Sequence, residues 1–148
     1  MITAPLVALT AVLAQAQPTA TSLTLETVDR CRAVRMGRAE AEPTRFVDLD
    51  GGLQAMVRIA HTHCGLHIEG YREAGEGYAA AVRDGLQART RHWRETQWRE
   101  RQASEFGPTL WTTLVFSDAE RHRAHWVRII EPADGGVGPL SVSFGVGP

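Results

Sequence analysis

Lysine and asparagine are absent from this 148-residue chain, and cysteine occurs only twice. Without lysine, Schiff-base and lysine-nucleophile mechanisms are excluded, because each needs a side-chain amine. Arginine carries all the side-chain positive charge: 16 basic residues stand against 17 acidic ones, for a formal net charge of −1. A protein that holds nucleic acid mainly by electrostatics shows a basic excess, so this balance argues against such a partner. Cys31 and Cys64 are not spaced as Cys-x-x-Cys, which removes a redox dithiol and covalent haem attachment. There is no Gly-x-Ser-x-Gly, phosphate-cradling Gly-x-x-x-x-Gly-Lys, dinucleotide fingerprint or His-Glu-x-x-His. No complete catalytic constellation can be read along the chain.

Charge is also missing from the N-terminal segment, where no ionisable side chain precedes Glu26. Pro5 to Leu13 is almost wholly apolar, and Ala14-Gln15-Ala16 places small residues at −3 and −1 of a cleavage site. This pattern predicts a signal peptide over 1–16, although the stretch lacks an early Lys or Arg. The apolar run is shorter than the roughly 20 residues a membrane-spanning helix needs, so no stable membrane insertion is expected after cleavage. No cysteine follows that could take a lipid. Residues 17–24 read as a linker, and the mature chain is expected to be periplasmic or secreted. In an oxidising compartment an even pair of cysteines forms a disulfide by default, here Cys31 to Cys64.

The hydrophobic pattern predicts a mainly α protein: a small bundle of about four helices with one disulfide, over residues 25–131. Leu25, Val28 and Cys31 recur at threefold spacing behind Thr24 as a cap. Phe46, Leu49, Leu53, Met56, Val57, Ala60 and Cys64 keep helical phase from about Thr44, with Gly65 as the terminating residue. That helix would run through Gly51-Gly52 at a cost of about 1 kcal/mol each relative to alanine. A third helix is expected from Tyr78 to Glu105, with Tyr78, Ala81, Val82, Leu86, Arg89 and Trp93 as its inner stripe. Ser117-x-x-Glu120 has the form of a capping box opening a fourth helix through Ile130. Residues 132–148 read as a Gly/Pro-containing tail. The alternative is an α+β fold with short strands at 109–116 and 140–146. The first of these is rich in β-branched and aromatic residues, and the second alternates cleanly.

His61, His63 and His67 cluster around Cys64 and are the candidate metal ligands, for zinc or copper. At 100° per residue, 61 and 63 point about 200° apart on a helix. Cys64 is lost as a ligand if it is bridged. Asp118, His122 and His125 fall at i, i+4 and i+7 and form a second candidate set. The tryptophans at 93, 98, 111 and 126 suit core or interface anchors, and Trp93 and Trp98 cannot share one helix face. These features predict an exported soluble helical protein that acts as a non-enzymatic binding or structural module of the cell envelope, needing no cofactor. Its partner would be another envelope protein or a second copy of itself. The alternative is a periplasmic metal-binding protein that uses the clustered histidines.

Overall fold

The structure, a computed structural model, describes residues 15–72, 77–90, 96–105, 107–118 and 123–147; the side chains of 96–99, 117 and 118 fall outside that description. The expected signal peptide therefore lies almost wholly outside the described residues. Among them the chain forms two α-helices and seven strands. In order these are α1 (Ala20–Arg35), β1 (Glu42–Asp48), β2 (Gln54–Ile59), β3 (Cys64–Arg72), α2 (Gly77–Arg89), β4 (Thr96–Ser104), β5 (Gly107–Asp118), β6 (Arg123–Pro132) and β7 (Val137–Val146). All seven strands belong to one sheet, ordered β1-β2-β3-β7-β6-β5-β4, with every neighbouring pair antiparallel. The four-helix bundle is thus corrected to a mostly antiparallel sheet with two helices. β3 and β4 run parallel four places apart, and a parallel pair needs a long crossover. α2 (Gly77–Arg89) lies in the chain between them.

Each misassigned helix has a physical explanation. The phase read across 44–64 as one helix belongs to the β1–β2 hairpin. Gln54 to Ile59 alternates exposed and buried, with Ala55, Val57 and Ile59 in the core. Met56 points outward, and its apolar side chain supplied the false helical spacing. Gly51 and Gly52 have φ of +78° and +77°, a region glycine enters without a Cβ penalty, so they turn the chain rather than continue a helix. The Leu49 N–H donates to the Leu53 carbonyl at 2.8 Å and closes that turn.

The helix expected over 78–105 stops at Arg89, and its second half holds β4, paired in unbroken register with β5. Of the expected 117–130 helix, Ser117 and Asp118 end β5, residues 119–122 lie outside the described residues, and Arg123 to Ile130 form most of β6. Val127 and Ile129 are buried while Trp126 and Ile130 are half-buried on the opposite face, so apolar residues on both faces imitated helical spacing. Val127, Ile129 and Ile130 are β-branched, which favours the pleated form. The supposed tail forms β7, inserted between β3 and β6. The segments 109–116 and 140–146 do lie in strands, β5 and β7, but as two of seven in a single sheet.

The core lies between one face of the sheet and the helices. α1 packs on β2, β3 and β7, and α2 packs on α1. α1 begins inside the expected linker. Its cap is Thr19, whose Oγ1 accepts from the Ser22 N–H at 3.0 Å while Ser22 Oγ accepts from the Thr19 N–H at 3.0 Å. Leu23, Thr24, Thr27, Val28, Cys31 and Val34 make its inner stripe. Opposite them, Val57, Leu66, Val142 and Ile129 sit side by side across four strands. A Cβ on Gly85 of α2 would strike the Leu25 side chain, so glycine sets the close approach of the two helices. The Cys31–Cys64 disulfide joins α1 to the first residue of β3, with Cα atoms 5.8 Å apart.

One polar contact crosses this core. The Thr24 hydroxyl donates to the Ala20 carbonyl at 2.7 Å, which leaves the Tyr78 hydroxyl to donate to Thr24 at 2.5 Å. Burial pushes the Tyr78 hydroxyl well above the ordinary tyrosine range. The charges of Tyr71 and Glu131 add to that shift; Thr24, able to turn its proton toward a phenolate, opposes it.

Candidate functional site on the open face of the sheet

Alternation along a strand sends every second side chain away from the helices. Among the described residues no helix packs on that second face. Cross-strand register assembles it in rows. One row runs Phe46, Met56, His67, Ser141, Ile130, Trp111 and Glu100 from β1 to β4. A parallel row runs Arg58, Gly65, Ser143, Arg128 and Thr113.

On β2, β3 and β7 the face holds a groove of about 350 Å³, flanked by Met56, Arg58, His63, His67, Ser141 and Ser143. That volume is at the lower end of small-molecule sites. Its floor is bare backbone at Gly65, where a Cβ would collide with the Val142 carbonyl oxygen. His67 stands in the groove wall with both ring nitrogens engaged. Nε2 lies 2.7 Å from Glu69 Oε1 and Nδ1 lies 2.8 Å from Ser141 Oγ. An ionised carboxylate only accepts, so in neutral His67 the Nε2–H donates to Glu69 and Nδ1 accepts from the Ser141 hydroxyl. His67 and Glu69 share a face because they are two apart on one strand; Ser141 joins them through the β3–β7 register.

On β5 and β6 the face is aromatic and cationic. The Arg128 guanidinium carbon lies 5.6 Å from the ring centroids of both Trp111 and Trp126, within cation–π range. A Cβ on Gly145 would overlap the Trp126 indole, so that ring lies down over β7. A smaller hollow of about 120 Å³ beside Arg128 is edged by Glu100, Gln102, Trp111 and Thr113. Among the described residues Arg58 and Arg128, like Arg35, Arg38, Arg72 and Arg123, are in no ion pair; what sets Arg128 apart is its place over two indoles.

The histidine cluster is spread out by this fold. His61 and His63 are exposed in the β2–β3 turn, and His67 is inside β3. Four residues of extended chain cover about 13 Å, so His63 and His67 border one groove without converging on a point. Cys64 is in the disulfide. Among the described residues no three His, Cys, Asp or Glu side chains group as a metal site. Of the second set, His122 is outside the described residues. His125 is 1% exposed in the core, stacked between Phe116 and Phe144 at 5.4 and 5.8 Å. Trp93 and the Trp98 side chain are also outside the description, while Trp111 and Trp126 border the open face.

Sequence reading missed Arg58, Glu69, Arg128, Ser141 and Ser143. The available signals were the alternations His67-x-Glu69 and Ser141-x-Ser143; a strand places the members of each on one face. Comparison of the chain with protein-family models, curated proteins and solved structures yields no match.

Proposed function

We propose that this chain is an exported binding module that docks an acidic protein partner on the open face of its sheet. The observation that carries the reading is Arg128, held between Trp111 and Trp126 with no carboxylate partner. Aromatic residues, methionine and arginine are enriched at interface cores, whereas Lys, Glu and Asp are depleted. The β5–β6 part of the face, with Trp111, Trp126, Arg128 and Ile130, matches that composition. Half-buried Trp111, Trp126 and Ile130 cluster on β5 and β6, while Phe46 (66% exposed) and Met56 (38%) lie at the far β1–β2 end of the face, beyond His67 and Ser141. Docking on the indoles would desolvate the guanidinium, which then needs a carboxylate from the partner. Arg58, also outside any ion pair among the described residues, offers a second cation on the same face for a carboxylate-rich surface. Export is supported by the Cys31–Cys64 bridge, since disulfides persist in oxidising compartments.

The test is a photo-crosslinking residue placed at Ile130 in living cells, with one at buried Val127 as control. The expected result is a discrete adduct with an acidic protein from position 130 that disappears when Arg128→Gln is added. No adduct, or one indifferent to Arg128, overturns the reading.

A further inference from the structure

The other half of the open face carries chemistry that partner docking does not use. We infer that Ser141, His67 and Glu69 form a nucleophile, general base and orienting carboxylate, giving the groove an acyl-transfer activity toward small carboxylic esters. A cross-strand Ser–His contact by itself is an ordinary feature of an antiparallel sheet. Three further observations give this one a direction. Both ring nitrogens of His67 are engaged, and in the neutral ring the Nε2–H donates to Glu69 and leaves Nδ1 free to accept from the serine, the tautomer a base requires. The serine, the histidine and a cation, Arg58, border the same groove of about 350 Å³. Gly65 lines the groove with backbone alone, so no side chain from that position fills the space beside Ser143. Relative to serine-protease triads the two ring nitrogens exchange places, but the roles are unchanged, and such sites are defined by geometry and roles.

Ser141 Oγ forms a bond to the ester carbonyl carbon while its proton passes to His67 Nδ1. The carbonyl π electrons move onto oxygen, where Arg58 or the Ser143 hydroxyl opposes the developing charge. Collapse expels the alcohol oxygen, which takes the proton from Nδ1, and leaves an acyl-Ser141 ester. Water then repeats the sequence: it gives its proton to Nδ1, its oxygen attacks the acyl carbon, and Ser141 recovers the proton as the acid departs. Glu69 is a positioning residue. It is 80% exposed while the His67 side chain is 33% exposed, so its orienting effect is diluted by water. A modest rate, without the power of a buried triad, is the consequence.

The experiment uses the mature, disulfide-bonded protein with two probes: a fluorophosphonate reagent, mapped by peptide mass spectrometry, and p-nitrophenyl acetate. The phosphonyl group is expected on Ser141, and labelling is expected to vanish in urea. Ser141→Ala should abolish ester turnover, and His67→Ala should lower it roughly 100-fold. Glu69→Ala should lower kcat about tenfold at constant KM, with part of the loss restored in Glu69→Asp. A natively folded wild-type protein left unlabelled at Ser141 overturns the inference, as does ester turnover that persists in Ser141→Ala. The mapping on wild type needs no variant to fold, and neither probe involves the partner proposed above.

Discussion

The two faces of the sheet are made by the same strands and differ in what their side chains are for. On β6, Val127 and Ile129 point one way and are fully buried; Trp126, Arg128 and Ile130 point the other and remain half-open. On β3, Leu66 and Ile68 face the helices while His67 faces the groove. The inner face excludes water and carries the stability of the fold. The outer face keeps charges, hydroxyls and indoles where they can meet another molecule. Substitutions one residue apart should therefore separate folding from function.

The largest contrast is expected between Phe116 and Met56. Phe116 is 1% exposed against His125, and Phe116→Ala should cost roughly 3–5 kcal/mol in urea unfolding. Met56→Ala, on the open face, should change stability by less than about 1 kcal/mol. Comparable losses at the two sites would mean that something covers the outer face. Next in size is the bridge between α1 and β3. Its sequence separation of 33 predicts a loss of about 3–4 kcal/mol in the chain-entropy model when Cys31 and Cys64 are both changed to alanine. Denaturation with and without reductant checks the same quantity on the native chain. A loss below about 1 kcal/mol would show that inner-face packing alone docks α1.

Parts of this arrangement were legible in advance, for identifiable reasons. The disulfide follows from an even cysteine pair and an export pattern. Val28 and Cys31 of α1 and the first half of the 78–105 pattern are local periodicities, which survive without tertiary information; the expected cap, Thr24, is instead a buried residue one turn inside a helix capped by Thr19. β6 was not legible because it is apolar on both faces, with Trp126 and Ile130 lying among the core residues. The open-face site was less legible still. Ser141 and His67 are 74 residues apart and meet only through the β3–β7 register, which no local pattern specifies. Arg128 is one of sixteen basic residues in the sequence, and only the β5–β6 register brings it against two indoles.

A smaller effect tests the polar seam inside the core. The folded state holds the Tyr78 proton to a higher pH than the unfolded chain, whose tyrosines ionise near their ordinary value of 10.0. Its contribution is therefore complete below about pH 10 and declines as pH rises above it, by about 1.4 kcal/mol per pH unit. Unfolding free energies at a series of alkaline pH values should show that slope. Tyr78→Phe should flatten it while costing only about 1 kcal/mol at neutral pH, because Thr24 keeps its bond to the Ala20 carbonyl. An unchanged slope in the variant would place the alkaline sensitivity elsewhere.

The smallest stability effect is expected where the functional effect is largest. Arg128 lies over two indoles in a half-exposed setting, where a cation–π contact contributes roughly 0.5–1 kcal/mol. Arg128→Gln should therefore leave the unfolding midpoint nearly unchanged and still remove partner crosslinking from Ile130. Trp111→Ala removes one of the two stacking surfaces and should act in the same direction. If Arg128→Gln costs several kcal/mol instead, the guanidinium is a structural clamp of the β5–β6 hairpin. The outer face would then hold part of the fold together, and the division of labour between the two faces would fail at that point.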